Sequence, residues 1–381
     1  MDHQQPILII NYEYPPLGGG GGHARAQIAA RLVKRGHRVH VLTSRFHGFK
    51  KHEVIDGVHI YRIPTLRRHQ EKCSVFEMMV FIVMSVLLAG FYAKRIKPSY
   101  VLSFFSIPSS PAAYVIRLFL NIPYVIALRG GDVPGFLPEQ LSKFHSLSNW
   151  LTRILWRNAA KITANSEGLA DLARRFYPGK KIEVIPNGVD ACFFSQRETV
   201  STKDELTLLT VGRVSRQKNI ERLVAVMKRL KDLHPGKFKL KIVGDGPERD
   251  RIEQLVADAK LEGEISFCGW IAREELPRYY QQADIFVLAS DFEGMPNVML
   301  EAMASSLAIV ATEAPGTVDL VEPERNGFLV SKQRLEAFDE AVLRMKEDSR
   351  YLLKLQQSSY AIAQKYTWDN VTEAYEKLLD V

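Results

Sequence analysis

Short apolar runs recur along the chain, and each is followed by a polar or glycine-containing loop and a segment with helical periodicity. Such runs predict buried parallel strands, because helices cover both faces of a parallel sheet. In the first half the predicted strands are Pro6–Ile10, Arg38–Thr43, Val58–Arg62, Tyr100–Phe104, Tyr124–Leu128, Lys161–Ala164 and Lys181–Ile185. In the second half they are Leu206–Val211, Phe238–Val243, Ile265–Phe267, Asp284–Leu288 and Gly327–Val330. This alternation predicts an α/β protein with doubly wound, Rossmann-like sheets.

Helical periodicity occupies segments between the strands. The predicted helices are Ala24–Arg35, Asn219–Leu230, Glu274–Gln281, Asn297–Ser305, Leu335–Arg344 and Trp368–Leu379. Asn219 is placed to cap the second of them. Val371, Tyr375 and Leu378 give the last helix an apolar face, which we expect to pack on a domain surface.

The segment Met78–Ala93 is uncharged and almost entirely apolar, but it is shorter than the roughly 20 residues that a spanning helix needs. We therefore predict a helix buried inside its domain. Basic residues around this segment make a peripheral contact with anionic lipid the alternative. They are Arg67, Arg68, Lys72, Lys94, Arg95 and Lys97.

The 381 residues exceed what one core usually supports, so two domains are expected. The polar, aperiodic stretch Cys192–Glu205 predicts the boundary between domains 1–196 and 197–360, with a C-terminal helical segment at 361–381. A net charge of +8 favours anionic partners such as nucleotides, acidic lipids or nucleic acid. The three cysteines lack a C-x-x-C spacing, and the N-terminal apolar run is too short for a cleavable signal. We therefore expect a cytoplasmic protein.

The segment Asp284–Glu313 carries the densest candidate chemistry. Its loop Ser290–Pro296 follows a strand and contains Glu293, so this carboxylate lies where open α/β sheets bind ligands. Glu301 stands one turn beyond the start of the next helix. The N–H groups at that helix start favour an anion. The carboxylates of Glu293 and Glu301 suit hydroxyl groups. The pair predicts a ligand with both phosphate and sugar. The alternative for Glu301 is an ordinary solvated helix residue.

Three further loops follow predicted strands. Arg213 and Lys218 share one of them, where two cations can meet a phosphate beside a helix N-terminus. The glycines Gly18–Gly22 let the backbone approach a ligand closely, with a flexible loop as the alternative. The third loop is Arg129–Asp132, for which a turn and a substrate contact are both open.

With these features placed, the chain resembles the family 4 glycosyltransferases, retaining enzymes of the GT-B fold. Six motifs stand in family order: the glycine loop before a helix that ends in RGH at 35–37, PNGVD at 186–190, VGRVSRQKN at 211–219, IVGDGP at 242–247, FCGW at 267–270 and EGMPNVMLE at 293–301. The last is similar to the family's E-x7-E motif. The resemblance implies two Rossmann-like domains facing across a cleft, the first for the acceptor and the second for the nucleotide sugar. It also implies that the C-terminal helix crosses back to the first domain.

The resemblance implies catalytic roles for Arg213 and Lys218, which would grip the donor diphosphate, and for Glu293, which would bind hydroxyls of the transferred sugar. The implied donor-binding residues are Gly18, Gly19, Gly244, Trp270, Gly294, Met295, Pro296, Asn297 and Glu301. Of these, Glu301 would hold the ribose hydroxyls and Trp270 would flank the base.

On the acceptor side the chain departs from the family pattern. Arg129 stands where many relatives have a histidine, so no role for that histidine can be transferred. Candidate acceptor contacts are His23, Arg129 and Asp132. The acceptor itself is expected to be a saccharide, a lipid-linked sugar or a small molecule.

The implied activity is a retaining, metal-independent transfer of a hexose from a nucleoside diphosphate sugar to an acceptor hydroxyl, with attack from the face that the diphosphate leaves. No metal and no cofactor are expected, since the sequence has no Asp-x-Asp pair and its His and Cys residues lack a ligand spacing. No nucleic-acid partner is expected. The alternatives are a nucleotide-sugar epimerase of similar fold, a non-catalytic nucleotide-sugar binder and an unrelated dinucleotide enzyme.

Overall fold

In the computed structural model the chain forms two compact units, each with its own sheet and core. The structure describes residues 5–379 except 19, 71–72, 137, 192, 195–203 and 335, and only the backbone of 20–21 and 138–144. Unit 1 comprises Met1–Gly188 and Trp368–Val381, and unit 2 comprises Val189–Thr367.

The elements follow one another in strict α/β alternation over most of the chain. In unit 1 they are β1 (Pro6–Ile10), α1 (Gly20–Lys34), β2 (Arg38–Arg45), β3 (His52–Ile55), β4 (Val58–Pro64), α2 (Val75–Ile96), β5 (Tyr100–Phe104), α3 (Ser110–Leu120), β6 (Tyr124–Leu128), α4 (Pro138–Asn158), β7 (Lys161–Ala164), α5 (Glu167–Phe176) and β8 (Ile182–Val184). In unit 2 they are β9 (Leu206–Val211), α6 (Ile220–Leu233), β10 (Phe238–Val243), α7 (Arg249–Asp258), β11 (Ile265–Gly269), α8 (Leu276–Gln281), β12 (Ile285–Leu288), α9 (Asn297–Ala304), β13 (Ala308–Thr312), β14 (Gly327–Val330), α10 (Glu336–Glu347) and α11 (Ser349–Ala363). The last helix, α12 (Trp368–Leu379), belongs to unit 1.

The sheet of unit 1 has the order β3-β4-β2-β1-β5-β6-β7-β8. All neighbours are parallel except β3, which pairs antiparallel with β4. The central strand β1 is apolar on both faces, with Leu8 opposite His40 of β2 and Val101 of β5. The chain leaves β1 toward β2 but leaves β5 toward β6, in the opposite direction. The topological switch point of unit 1 therefore lies between β1 and β5.

The sheet of unit 2 has the order β11-β10-β9-β12-β13-β14 and is parallel throughout. Leu208 of β9 is opposite Ile285 of β12. Buried apolar clusters cover both faces of this sheet. The chain leaves β9 toward β10 and leaves β12 toward β13, so the switch point of unit 2 lies between β9 and β12.

Every predicted strand is present, with ends that differ by at most two residues. Strand β3 was not predicted. It is an edge strand whose residues are mostly exposed. Asp56 and Gly57 join it to β4, and both have positive φ, as the tightest hairpin turns require. An Asp-Gly pair between two candidate strands was therefore a usable signal.

The prediction of a buried helix over Met78–Ala93 is wrong. Ser74 caps the longer helix α2, because its hydroxyl accepts from the Glu77 N–H while the Glu77 carboxylate accepts from the Ser74 N–H. The buried side of α2 is a narrow stripe of Glu77, Phe81, Ser85, Ala89 and Ala93. Most of its large apolar side chains lie on the other side and are exposed.

The helix α12 packs against α1 in unit 1, as the resemblance implied. The units divide between Gly188 and Val189, ahead of the predicted boundary after residue 196. The reason is that the Val189 N–H donates to the Tyr366 carbonyl (2.7 Å) and its side chain belongs to a core cluster of unit 2. Since α11 also packs in unit 2, less of the segment 361–381 returns to unit 1 than was predicted.

Candidate functional site

In unit 2 the loops that follow β9 and β12 emerge on either side of the switch point. The first contains Arg213 and Lys218, and the second contains Glu293. The ammonium nitrogen of Lys218 lies 2.6 Å from Oε1 of Glu293. Arg213 is exposed, and within the described chain no side-chain partner is seen for it. The structure thus brings two of the three predicted catalytic side chains into direct contact, with the third in the same loop as Lys218.

Asp291 fixes the two loops to each other. Its carboxylate accepts from Nδ2 of Asn219 (3.2 Å) and from Nη1 of Arg222 (2.8 Å), and its N–H donates to the Gln217 carbonyl (3.0 Å). The Gln217 amide returns a hydrogen bond to the Phe292 carbonyl (2.6 Å). Asn219 occupies the N-cap position of α6 as predicted, but its side chain makes no capping hydrogen bond and donates to Asp291 instead. This contact between segments distant in sequence was not predicted.

Backbone contacts at glycines bring the neighbouring loops together. A Cβ at Gly244 would lie 2.0 Å from the Gly212 carbonyl oxygen, and a Cβ at Gly316 would lie 2.1 Å from that of Gly294. The Gly316 N–H also donates to the Glu293 carbonyl (2.9 Å). Gly244 thus has a packing role in the loop after β10, because no larger residue fits there without moving the backbone.

The helix α9 begins directly after the loop that carries Glu293. Gly294, Met295 and Pro296 are buried, Pro296 is the residue before the first helical position, and Asn297 is the first residue of the helix. The positive end of the helix dipole therefore lies next to the Glu293 loop, at the carboxyl edge of the sheet. This arrangement suits a ligand that carries negative charge.

Glu301 is buried, so the alternative of a solvated helix residue is wrong. Its two carboxylate oxygens accept from Nη1 of Arg273 (3.0 Å) and from the Tyr280 hydroxyl (2.9 Å). Burial raises the pKa of Glu301, while Arg273 and Tyr280 oppose that rise. Burial and the nearby carboxylate together raise the pKa of Tyr280 well above its usual value. No motif in the sequence had pointed to Arg273 or Tyr280.

Trp270 follows β11 and is 71% exposed. Its ring makes no aromatic or cation–π contact with the described residues. An exposed indole on the carboxyl edge of the sheet offers a flat apolar surface, on which a planar ligand group could stack.

In unit 1 the glycine loop follows β1 at the switch point. Gly18 has φ +84°, its N–H donates to the Gln70 carbonyl (3.3 Å), and a Cβ there would lie 2.8 Å from Oε2 of Glu13. Gly19 lies outside the described residues. His23 is on the first turns of α1, where its Nε2 is 3.0 Å from Nε2 of Gln27.

Two arginines beside this loop are buried, and one of them, Arg67, was predicted to be among the basic residues available for lipid contact, which its burial contradicts. Arg25 is only 2% exposed and lies 4.0 Å from Oε2 of Glu13, while Nη2 of Arg67 lies 3.0 Å from Oε1 of the same carboxylate. Burial lowers the pKa of Arg25 to about 10, which Glu13 opposes. The guanidinium also lies 5.2 Å from the ring centre of Phe105. These charges hold the loop from inside the unit.

Arg129 and Asp132 are likewise held inside unit 1. The Asp132 carboxylate accepts from the N–H groups of Arg129 (2.9 Å) and Ser106 (2.8 Å), and burial raises the pKa of this carboxyl against those hydrogen bonds. The Arg129 guanidinium donates to Oδ1 of Asn187 (2.6 Å) and to the Tyr375 hydroxyl (3.0 Å). Both candidate acceptor contacts therefore have internal partners that join loops and α12.

Within the described part of the chain, no group of three or more His, Cys, Asp or Glu side chains is arranged to hold a metal ion. His40, His52, His59 and Tyr61 form one group of stacked rings on β2, β3 and β4. The ring centres of His40 and His59 are 4.9 Å apart, and those of His52 and Tyr61 are 4.6 Å apart. Burial, helped by His59, Arg38 and His52, lowers the pKa of His40 to about 4.

Two family models match consecutive parts of the chain. The model described as Glycosyltransferase Family 4 matches residues 18–192, and the model described as Glycosyl transferases group 1 matches residues 193–365. The junction between the two matches lies close to the division between units 1 and 2.

The chain is similar to transferases of known name. The N-acetylgalactosamine-N,N'-diacetylbacillosaminyl-diphospho-undecaprenol 4-alpha-N-acetylgalactosaminyltransferase of Campylobacter jejuni is 30% identical over 252 residues, which cover 61% of this chain and 67% of that protein. An uncharacterized glycosyltransferase of Methanocaldococcus jannaschii is 25% identical over 393 residues, 96% of each chain.

Solved structures share the fold. The sucrose-phosphate synthase of Thermosynechococcus elongatus has a TM-score of 0.86 at 23% identity, over 99% of this chain and 98% of that one. The Anabaena protein HepE in complex with UDP-glucose has a TM-score of 0.74 at 18% identity, over 99% and 100% of the two chains. These likenesses show the GT-B architecture of two Rossmann-like domains.

Proposed function

This chain belongs to glycosyltransferase family 4, and from that premise we propose that it is a retaining, metal-independent hexosyltransferase of the cytoplasm. The donor is a nucleoside diphosphate sugar, and the acceptor is a hydroxyl of a saccharide, a lipid-linked sugar or a small molecule. The observation that carries the proposal is the contact of Lys218 with Glu293 at the switch point of unit 2, next to Arg213 and the start of α9.

The two kinds of charge suit the two halves of such a donor. Lys218 and Arg213 attract the diphosphate, and the N-terminus of α9 adds positive potential from the side of the second loop. Glu293 accepts hydrogen bonds from hydroxyl groups of the sugar. Because Lys218 and Glu293 touch, the diphosphate and the sugar would be bound side by side, as they are linked in the donor.

In the proposed step, the bond between the anomeric carbon and the diphosphate oxygen breaks while the acceptor oxygen bonds to that carbon from the same face. The acceptor proton passes to the departing phosphate oxygen, so no protein base is required. Negative charge grows on the diphosphate, and the preorganised cations stabilise it. Arg213 and Lys218 take the part that a divalent ion has in Asp-x-Asp transferases, and this sequence contains no Asp-x-Asp.

Donor binding tests the first half of the proposal. Thermal unfolding is measured with a series of nucleotide sugars, beginning with UDP-glucose because the Anabaena neighbour was solved with it. The donor is expected to raise the Tm, and its free nucleoside diphosphate should raise it less. If no nucleotide sugar changes the Tm of the wild type, the proposed donor class is wrong.

Transfer tests the second half. The best donor is incubated with candidate acceptors, with and without a chelator, and the anomeric configuration of the product is determined by NMR. An axially linked donor should give an axially linked product at an unchanged rate in the chelator. Inversion of the product would contradict retention, and a requirement for added metal would contradict metal independence. Interconversion of the donor without transfer would identify an epimerase instead.

A further inference from the structure

The helix α2 has an apolar side that is not covered by the described residues of unit 1. Its large outward side chains are between 54% and 70% exposed, and they are Val75, Phe76, Met79, Val83, Leu87 and Phe91. They recur at three- and four-residue intervals, so they form one stripe along the helix. A surface helix normally turns its apolar side to the core, and α2 does the reverse.

The apolar surface continues onto the next two helices. α2 packs against α3 and α3 packs against α4, and the right-handed crossovers into β5, β6 and β7 place all three on the same face of the sheet. Leu118, Phe119, Leu147 and Trp150 are exposed on α3 and α4. Together these three helices are here named the α2–α4 face. A concentration of exposed large apolar side chains of this kind is typical of an interaction surface.

The exposed charged side chains that the structure describes on the α2–α4 face all have one sign. No Asp or Glu occurs between Glu77 and Asp132, and both of these carboxylates are buried. Every exposed charged side chain described on the three helices is basic. These side chains are Lys94, Arg95, Arg117, Arg153 and Arg157. An apolar surface bordered by these cations complements a bilayer that contains anionic lipid.

The helix α2 is long and apolar enough to cross a membrane by length and composition. In this fold, however, its inner stripe packs against α3 and the strands of unit 1, and Glu77 on that stripe bonds the Arg68 and Ser74 N–H groups. A spanning position would expose Glu77 and separate the helix from the sheet. The geometry therefore fits a helix that lies in the plane of the interface.

We propose that the α2–α4 face docks unit 1 onto a bilayer containing anionic phospholipid, with the α2 stripe in the boundary between headgroups and acyl chains. A second copy of the chain is a poorer partner for this face, because two such faces would bring their exposed basic residues together. The docking depends on α2–α4 alone and does not require the sugar-transfer activity.

Vesicle flotation of the full chain tests the proposal without any activity assay. The wild type is expected to float with phosphatidylcholine vesicles that contain phosphatidylglycerol, more weakly at high salt, and weakly with pure phosphatidylcholine. Leu87→Gln/Phe91→Gln should reduce the bound fraction at least about tenfold, because both side chains lie on the exposed stripe. The matched control is Leu233→Gln, which changes an exposed leucine in unit 2 and should bind as the wild type does.

The charge is tested separately. Lys94→Glu/Arg95→Glu should weaken binding to anionic vesicles by about tenfold or more, whereas the exposed pair in Arg350→Glu/Lys354→Glu on α11 should not. Trp150 is an internal probe, and its emission should shift to the blue with anionic vesicles. Trp150→Phe should abolish that part of the shift.

Three results would overturn the proposal. The first is a wild type that does not bind anionic vesicles at low salt. The second is binding that Leu87→Gln/Phe91→Gln leaves unchanged although far-UV circular dichroism shows both proteins folded. The third is a concentration-dependent dimer in sedimentation that the same double variant converts to monomer, which would identify a second copy of the chain as the occupant of the face.

Discussion

The two switch points of the molecule are built alike but use their charges differently. In unit 2, Lys218 and Glu293 meet each other, and Arg213 in the same loop is exposed. In unit 1, Arg25 and Arg67 are both buried around Glu13. A Rossmann-like sheet brings loops together at this edge in both units. In unit 2 the charged side chains lie where a charged group of a ligand can take the place of one member of an ion pair.

The difference shows what distinguishes a binding charge from a structural one. A buried charge that already has several internal partners contributes to stability and would lose more than it gains by turning to a ligand. A charge with one partner, or none, can exchange it at low cost. From this comparison we expect function from the loops after β9 and β12 and stability from the buried charges of unit 1.

The largest effect is expected from the cations of unit 2. Lys218→Ala and Arg213→Ala should each lower kcat about a hundredfold or more, because each removes a preorganised positive charge from the departing diphosphate. Steady-state transfer assays at saturating donor measure this effect, with circular dichroism to verify folding.

Arg216→Ala is the matched control for both variants. Arg216 lies in the same loop, its side chain is 84% exposed, and it pairs with Glu248. Its removal should change the rate by less than about twofold, as for other solvated ion pairs. If either Lys218→Ala or Arg213→Ala keeps near wild-type turnover, its cation is no more important for transfer than a solvated surface charge.

The next effect separates the sugar from the diphosphate. Glu293→Gln keeps the size of the side chain but removes its charge, and we expect transfer to fall by tens of fold. The affinity for the free nucleoside diphosphate, measured by calorimetry, should fall much less because that ligand has no sugar. Asp291→Asn is the comparison, since Asp291 holds the loop and should weaken both ligands together. Equal losses for Glu293→Gln would contradict its role toward the sugar.

The location of the charged residues of unit 2 could largely be predicted from the sequence. Apolar runs located the strands, and the position of a loop after a strand located Arg213, Lys218 and Glu293 at the carboxyl edge of the sheet. Helix α9 was also predicted to begin at Asn297, as it does. These features depend on local pattern, which the sequence carries directly.

The side-chain partners of these charged residues could not be predicted in the same way. Asp291 and Arg222 are far apart in sequence, and so are Glu13 and Arg67, so no local spacing connects them. Hydropathy identified the apolar segment of α2 but carries no information about which side faces the sheet. The side of α2 that packs against α3 and the strands repeats at every fourth position, and its second half consists of the small residues Ser85, Ala89 and Ala93.

Removal of the buried carboxylate of Asp132 in unit 1 is expected to lower the stability of the fold. Asp132→Ala leaves the N–H groups of Arg129 and Ser106 without this acceptor, which should lower the free energy of unfolding by about 2 kcal/mol. Denaturant titration measures the loss, and Asp171→Ala, which removes an exposed carboxylate of α5, is the control. Donor affinity should not change. If stability is unaltered and acceptor binding is weaker, Asp132 is a substrate contact. The interpretation of the buried charges of unit 1 as structural would then be wrong.

The smallest effect concerns pH and the histidine stack of unit 1. The pKa of His40 is lowered to about 4, so between that value and the unfolded value of about 6.5 the unfolded chain binds more protons than the folded one. Stability contributed by neutral His40 is therefore complete above about pH 6.5 and is lost as the pH falls toward 4. We expect a loss on the order of 1–2 kcal/mol, reduced from the full linkage value because the ring is only partly buried.

His40→Gln should remove this part of the pH dependence, measured by urea titrations across that range, while His234→Gln, at an exposed position in unit 2, should leave it intact. The stack also contains His52, His59 and Tyr61, with Arg38 close by, so the variant must be compared with the wild type at each pH. If His40→Gln follows the wild-type curve throughout, the buried imidazole does not contribute to the acid sensitivity of unit 1. The titrating groups of that unit would then have to be sought among its carboxylates, where Asp132 already stands apart by its burial.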